Sequence, residues 1–162
     1  MKQKLFKFPI VIGVLAALVA IFIAGGNLYF FGERPFEIKL EPANTAMVKK
    51  GAVIYAEYCA SCHGADLEGQ PNWQSPDADG KMPAPPHDQR GHTWHHSDEV
   101  LFGVTKLGTA AYLKLEGFES AMPMFEAVLK DEEIIAVLSY IKAQWPAEIR
   151  ERHNQMNAAG KG

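Results

Sequence analysis

The sequence predicts an all-α domain that follows one N-terminal transmembrane helix. Apolar residues recur at helical spacing in three segments, and no segment alternates apolar and polar residues as a half-buried strand would. A long apolar run also follows the N-terminal lysines directly. Between the helical segments the chain is rich in proline and glycine, so we expect long loops there.

The N-terminal element is an apolar run from Phe8 to Phe31, preceded by three lysines and followed by the first acidic residue, Glu33. About 20 apolar residues cross a bilayer, and lysines in front of such a segment stay in the cytoplasm. We therefore predict that residues 1–31 anchor the chain in the cytoplasmic membrane by a single pass, with the following domain on the extracytoplasmic (periplasmic) side. A signal peptide cleaved near Ala24-Gly25-Gly26 is the alternative.

Residues 32–44 carry prolines and charges with little periodicity, which predicts a tether between membrane and domain. A helix is predicted from Thr45, because Val48, Ala52 and Tyr55 fall at helical spacing. Gly51 lies in the middle of this helix and costs about 1 kcal/mol relative to alanine. It indicates either a close crossing with another helix or a surface glycine without a role.

Both cysteines of the chain lie in the run Cys59-Ala60-Ser61-Cys62-His63. This C-x-x-C-H spacing predicts covalent attachment of one haem c, with Cys59 and Cys62 as thioethers and His63 as the proximal iron ligand. A structural zinc site would need four ligands, and a thioredoxin-like dithiol would lie in a βαβ unit. A disulfide between the two cysteines would close a loop too small to constrain the chain.

The segment from Gly64 to His96 is predicted to be a long loop wrapped around the porphyrin, because a loop of that length in a compact domain usually has a function and the cofactor supplies apolar surface. Four imidazoles fall within it, and they allow a second metal site for copper or zinc. No acidic or thiolate partner completes such a set. We favour a polar loop in which Trp73 or Trp94 bonds a haem propionate. The four imidazoles are His87, His92, His95 and His96.

Two further helices are predicted from their end signals. Ser97 is a good N-cap and Gly108 a good stop for the first, while three acidic residues from Asp131 open the second and Pro146 follows it. The remaining residues, 147–162, are polar and end in small residues, so we predict a flexible C-terminal tail.

The charge of the chain argues against nucleic acid as a partner. Removing the three N-terminal lysines from the 16 basic residues leaves 13 against 19 acidic ones, a net charge of 13 − 19 = −6 for the rest of the chain. No basic stripe is present. An acidic redox protein is steered instead toward a basic docking patch on its partner.

Over Thr45 to Trp145 the chain resembles the class I cytochrome c family. The resemblance implies the cytochrome c fold over residues 45–146, Met122 as the distal iron ligand, a Pro85 carbonyl that accepts the Nδ1 proton of His63, and a final helix that brings Tyr140 near Gly51. His87 stands where the family usually has an aliphatic residue, and Lys130 where it has a Ser or Thr cap. The residues that carry the resemblance are Gly51, Tyr55, Cys59 to Gly64, Met122-Pro123-Met124-Phe125, Asp131 to Ile134 and Leu138 to Ile141.

A physical argument, separate from the resemblance, also supports Met122 as the distal iron ligand. A thioether is a soft, neutral ligand that favours ferrous iron and raises the reduction potential, and Pro123 stiffens the chain behind it. Met82, Met124 and a histidine remain alternatives.

These features predict a membrane-tethered electron carrier, not an enzyme, that transfers single electrons between respiratory-type redox partners and has no small-molecule substrate. One alternative is a cytochrome subunit of a larger oxidase or dehydrogenase. Another is a haem enzyme, or a gas or metal sensor, with an open or displaceable distal site.

Overall fold

The computed structural model describes residues 36–160, so the predicted anchor over residues 1–31 and the first residues of the predicted tether, 32–35, lie outside the described residues. The described part contains helices and loops but no strand, in agreement with the predicted all-α class. None of its helices is both long and apolar enough to cross a bilayer. In chain order the elements are α1 (Thr45–Tyr58), α2 (Ala60–His63), a 3-10 helix (Thr93–His95), α3 (Asp98–Leu107), α4 (Thr109–Leu113), α5 (Asp131–Gln144) and α6 (Ala147–Ala159).

Helix α1 starts at Thr45, as predicted, because the Asn44 side chain caps it and accepts a hydrogen bond of 3.2 Å from the Met47 amide. It ends one residue before Cys59, whose own amide bonds the carbonyl of Tyr55. The helix therefore delivers the chain directly into the C-x-x-C-H motif.

Gly51 marks a close crossing between α1 and α5. A Cβ atom at this position would overlap the Ala136 carbonyl oxygen and lie 2.8 Å from the Cβ of Tyr140. Only glycine leaves room for the α5 backbone at this distance. Of the two predicted roles for Gly51, the structure shows the close helix crossing and not an exposed glycine without a role. Tyr140 lies beside Gly51, as the resemblance implied.

Helix α5 forms the centre of the hydrophobic core. Its start at Asp131 lacks a side-chain cap from Lys130, but the Glu133 carboxylate accepts a hydrogen bond of 3.1 Å from the Lys130 amide. The same carboxylate lies 3.1 Å from the ammonium of Lys50 on α1. The buried apolar residues of α5 are Ile134, Ile135, Ala136, Val137, Leu138 and Ile141.

The prediction of a flexible tail over residues 147–162 is wrong for most of its length, since Ala147–Ala159 forms α6. This helix is held by polar contacts and not by an apolar stripe. His153 is 1 % exposed and donates from Nε2 to the His96 carbonyl at 2.9 Å. Asn157 accepts from the Asp98 amide at 2.8 Å, which joins α6 to the start of α3.

Candidate haem-binding site

Cys62 and His63 lie in the single turn of α2, and Cys59 is the N-cap residue that joins this turn to the end of α1. Tyr55 donates from its hydroxyl to the Gly64 carbonyl at 2.9 Å, and the Gly69 amide bonds the His63 carbonyl at 2.7 Å. The motif is therefore tied both to the helix before it and to the loop after it.

His63 is 7 % exposed, and its Nδ1 lies 2.8 Å from the carbonyl oxygen of Pro85. A carbonyl can only accept, so Nδ1 carries the proton and Nε2 keeps a free lone pair. Burial lowers the pKa of His63, although the bond to Pro85 opposes that effect. The side chain is thus a neutral imidazole that can ligate a metal through Nε2.

A cavity of about 460 Å³ lies against this motif, within the ~300–1,000 Å³ range of cofactor and ligand pockets. Its walls are mostly apolar, which suits a flat porphyrin. Cys59, Cys62, His63 and Met122 all line it. Other lining residues come from α3, α5 and the long loop, and include Val100, Leu101, Val104, Val137, Leu138, Ile141, Trp73, Met82 and Pro85.

The cysteines do not have the properties of a reactive dithiol. They form no disulfide in the structure, and burial, with a smaller contribution from Cys62, raises the pKa of the Cys59 thiol to about 11. Redox dithiols need a lowered thiol pKa. Together with the cavity in front of them, this favours thioether attachment.

The Met122 segment is anchored by Phe125. The Phe125 side chain is 6 % exposed, and its amide lies 3.2 Å from the carbonyls of both Thr105 and Lys106 at the end of α3. Met124 is 64 % exposed and does not line the cavity, so it is a poor candidate for an iron ligand. Met82 lines the cavity but is 41 % exposed.

The two tryptophans predicted to contact the cofactor differ in position. Trp73 lines the cavity, but Trp94 does not. The ring of Trp94 stacks on His95 with centroids 3.6 Å apart, and its Nε1 donates to the Gln89 carbonyl at 3.3 Å. Local packing within the loop thus satisfies this indole, and the cofactor contact from Trp94 stays a prediction.

The histidine-rich segment was a candidate for a second metal site. Across residues 36–160, no group of three or more His, Cys, Asp or Glu side chains is arranged to hold a metal ion. His92 and His96 line the haem cavity, while His95 is exposed and lies off its wall.

Sequence reasoning missed the packing of His87 against the proximal ligand. The two imidazole rings lie 3.9 Å apart, and His87 Nδ1 is 3.0 Å from the Thr93 hydroxyl. The His87 carbonyl accepts from Trp145 Nε1 at 2.8 Å, which joins this segment to the end of α5. The position of His87 two residues after Pro85 is a signal that could have placed it beside His63.

The donor set fits a c-type haem. The thiols of Cys59 and Cys62 face one apolar cavity together with the neutral imidazole of His63 and the thioether of Met122. These are the kinds of group that attach haem and ligate its iron in electron-transfer proteins. The cavity wall also includes Met82, His87, His92 and His96.

Comparison with known proteins agrees with this geometry. The family model for cytochrome c matches residues 48–145, more than half of the 162-residue chain. Searches of the curated proteins and of the solved structures found no match. The matched residues include the C-x-x-C-H motif at Cys59 and the proposed distal ligand Met122. The chain therefore belongs to the cytochrome c family and carries covalently bound haem c.

Proposed function

We propose that this cytochrome c is a membrane-tethered carrier that passes single electrons between redox proteins on the extracytoplasmic face of the cytoplasmic membrane. The family is in general one of haem-based electron carriers. The proposal adds to this the tether, the side of the membrane and the respiratory type of the partners.

The observation that carries the proposal is that His63 and Met122 line the same apolar cavity. The bound haem supplies an iron that alternates between the ferric and ferrous states. Nε2 of His63 and the sulfur of Met122 would hold that iron, and a centre held by both side chains would have no ligand position free for a substrate or a gas. Such a pair of ligands supports electron transfer and raises the reduction potential.

The remaining residues of the site hold these groups in place. Cys59 and Cys62 attach the cofactor, Pro85 orients the His63 ring, and Phe125 anchors the chain that bears Met122. The apolar residues from α3 and α5 exclude water from the cavity. Little rearrangement of the protein is then needed when the charge of the centre changes.

The sequence supports the tether and the partner class. The apolar run within residues 1–31 is long enough to span a bilayer, and the acidic remainder of the chain suits a partner with a basic docking patch. Docking of a carrier is weak and small in area. Tethering compensates by raising the local concentration of the two proteins.

Carbon monoxide binding by the full-length, haem-loaded, reduced protein tests the carrier role. We expect little binding, since His63 and Met122 would together occupy the ligand positions of the iron. Rapid and complete binding would overturn the carrier role in favour of an enzyme or sensor with an open distal site.

The tether is tested separately, by fractionation of cells that produce the full chain and cells that produce a variant in which a cleavable signal peptide replaces residues 1–31. We expect the full chain in the membrane fraction and the variant in the periplasmic fraction. Recovery of the full chain as a soluble periplasmic protein would contradict the anchor without affecting the carrier role.

A further inference from the structure

The His-rich loop, residues 91–96, is the part of the cavity wall that electron transfer alone leaves unexplained. The His92 and His96 side chains line the cavity, and their rings meet edge to face with centroids 5.5 Å apart. The ring of His92 also lies 5.4 Å from that of Trp73, another lining residue. The two imidazoles are therefore adjacent on the wall of the haem cavity.

The start of the His-rich loop is fastened to the segment that bonds the proximal ligand. A Cβ atom on Gly91 would overlap the Pro86 carbonyl oxygen, so the two backbones touch. Thr93 is buried, and its hydroxyl lies 3.0 Å from His87 Nδ1. This end of the loop cannot move without moving the neighbours of His63.

The other end of the loop is held by α6. The His96 carbonyl accepts a hydrogen bond of 2.9 Å from Nε2 of His153, whose side chain is buried. Asn157 contacts the other ring nitrogen of His153 at 3.2 Å and so fixes its orientation. The loop that bears His92 and His96 is thus held by contacts at both ends, which fix the position of the two rings on the cavity wall.

We propose that His92 and His96 form a redox-linked proton site. For each electron that a donor protein delivers to the haem centre, the pair binds on average less than one solvent proton at an imidazole nitrogen, and it releases this proton when the electron leaves. This inference rests on the proposed carrier function, which supplies the electron donor and acceptor. It adds to that function a coupling between electron transfer and proton uptake.

The physical basis is the charge of the cavity. An added electron makes the cavity more negative, and a negative charge nearby favours the protonated form of an imidazole. Burial, and then repulsion from neighbouring histidines, lowers the pKa of His92 and of His96. The pair is therefore mostly neutral near pH 7 until the electron arrives, and protonation of one ring opposes protonation of the other.

Proton exchange with solvent is open to the pair, because His92 is exposed on one side. Within residues 36–160, no carboxylate forms a hydrogen bond or an ion pair with the ring of His92 or of His96. The other titratable groups that face the pair are His95 on the same loop, His87 on the segment before it, and His153 on α6, with Asp98 and Lys142 behind His153.

The test is the reduction potential of the full-length, haem-loaded protein measured over about pH 5 to 8, where histidine changes charge. The reduced state binds the proton more tightly, so the potential falls as pH rises through the pKa of the pair and levels off above it. The slope is a fraction of the ~59 mV per pH unit that corresponds to one proton per electron.

Two variants identify the groups responsible. The double variant His92→Gln, His96→Gln should lose most of the slope, and His95→Gln should keep it, since His95 is exposed and lies off the cavity wall. In wild-type protein, proton uptake on reduction is measured independently with an indicator dye in weak buffer. It should be largest between the pKa values of the pair in the oxidised and the reduced protein, and it should vanish toward pH 8.

A flat potential in wild-type protein, no proton uptake on reduction, or a full slope in the double variant would each overturn the proton site. If the Met-to-iron charge-transfer band is present in the same samples, the carrier function survives that result. Absence of the band in wild-type protein would overturn the carrier function and this inference with it.

Discussion

The Nδ1 atom of His63 lies 2.8 Å from the carbonyl oxygen of Pro85. Because the carbonyl can only accept, this contact fixes the tautomer of the imidazole and leaves Nε2 free to ligate iron. The long loop therefore does more than cover the cofactor, since its Pro85 sets the proton position and the orientation of the proximal ligand.

The first prediction concerns the distal ligand. Met122→Ala should lower the reduction potential and allow the reduced protein to bind carbon monoxide, because the thioether that favours ferrous iron is removed. Potentiometry and carbon monoxide titration of the full-length protein measure both effects. Met82→Ala is the matched control, and if it opens the distal site while Met122→Ala does not, the assignment of Met122 is wrong.

The second prediction concerns the anchor of that ligand. Phe125→Ala should destabilise the protein by about 3–5 kcal/mol, since it removes a buried aromatic side chain. It should also weaken the Met-to-iron charge-transfer band, because the Met122 segment loses the buried ring that packs it into the core and keeps only the backbone bonds of residue 125 to the end of α3. Denaturant unfolding and absorption spectra measure the two effects.

Val128→Ala in the same segment serves as the control for Phe125→Ala. Val128 is 53 % exposed, so its truncation should change stability by no more than about 0.5 kcal/mol. An unchanged charge-transfer band in a folded Phe125→Ala variant would refute the anchoring role of Phe125.

A third prediction concerns the crossing of α1 and α5. Gly51→Val should destabilise the protein by at least about 1–3 kcal/mol, because the new side chain overlaps the α5 backbone at Ala136. Gly160→Ala should be nearly neutral, since a Cβ there comes no closer than 3.7 Å to Met156. Equal unfolding midpoints for the two variants would contradict the close crossing.

The fourth prediction is an acid-sensitive stability that arises from His153. Burial, followed by the charge of Lys142, lowers the pKa of His153 below its ordinary 6.5, although Asp98 and the His96 carbonyl oppose this. The unfolded chain then binds this proton more readily than the folded protein, so stability is lost as pH falls through about 6.5. Thermal unfolding at several pH values between about 5 and 8 measures the effect.

His153→Gln should reduce this pH dependence, because its amide can donate to the His96 carbonyl but does not titrate. His95→Gln, at an exposed position of the chain, should retain it. A His153→Gln variant with the full acid sensitivity of the wild type would show that another group is responsible.

The helices that were predicted from the sequence have capping or stop residues at their ends. Helix α3 begins at Asp98 behind the Ser97 cap, whose Oγ accepts from the Val100 amide at 3.3 Å, and it stops at Gly108. The contacts of Gly51 with Tyr140 and of His63 with Pro85 came from the family resemblance, because each joins residues far apart in the sequence.

The parts that the sequence did not predict depend on tertiary contacts between polar groups. Helix α6 has no apolar stripe, and its place is set by the bonds of His153 and Asn157 to distant residues. The stacking of Trp94 on the adjacent His95 was likewise not predicted. Neither arrangement leaves a periodic pattern that sequence analysis can detect.

The most direct test of the central claim is an absorption spectrum of the full-length, haem-loaded protein in its oxidised and reduced forms. Ligation by His63 and Met122 predicts a low-spin spectrum in both states and a far-red Met-to-iron charge-transfer band in the oxidised form. A high-spin oxidised spectrum without that band would contradict the account, because it would mean that the distal position is open.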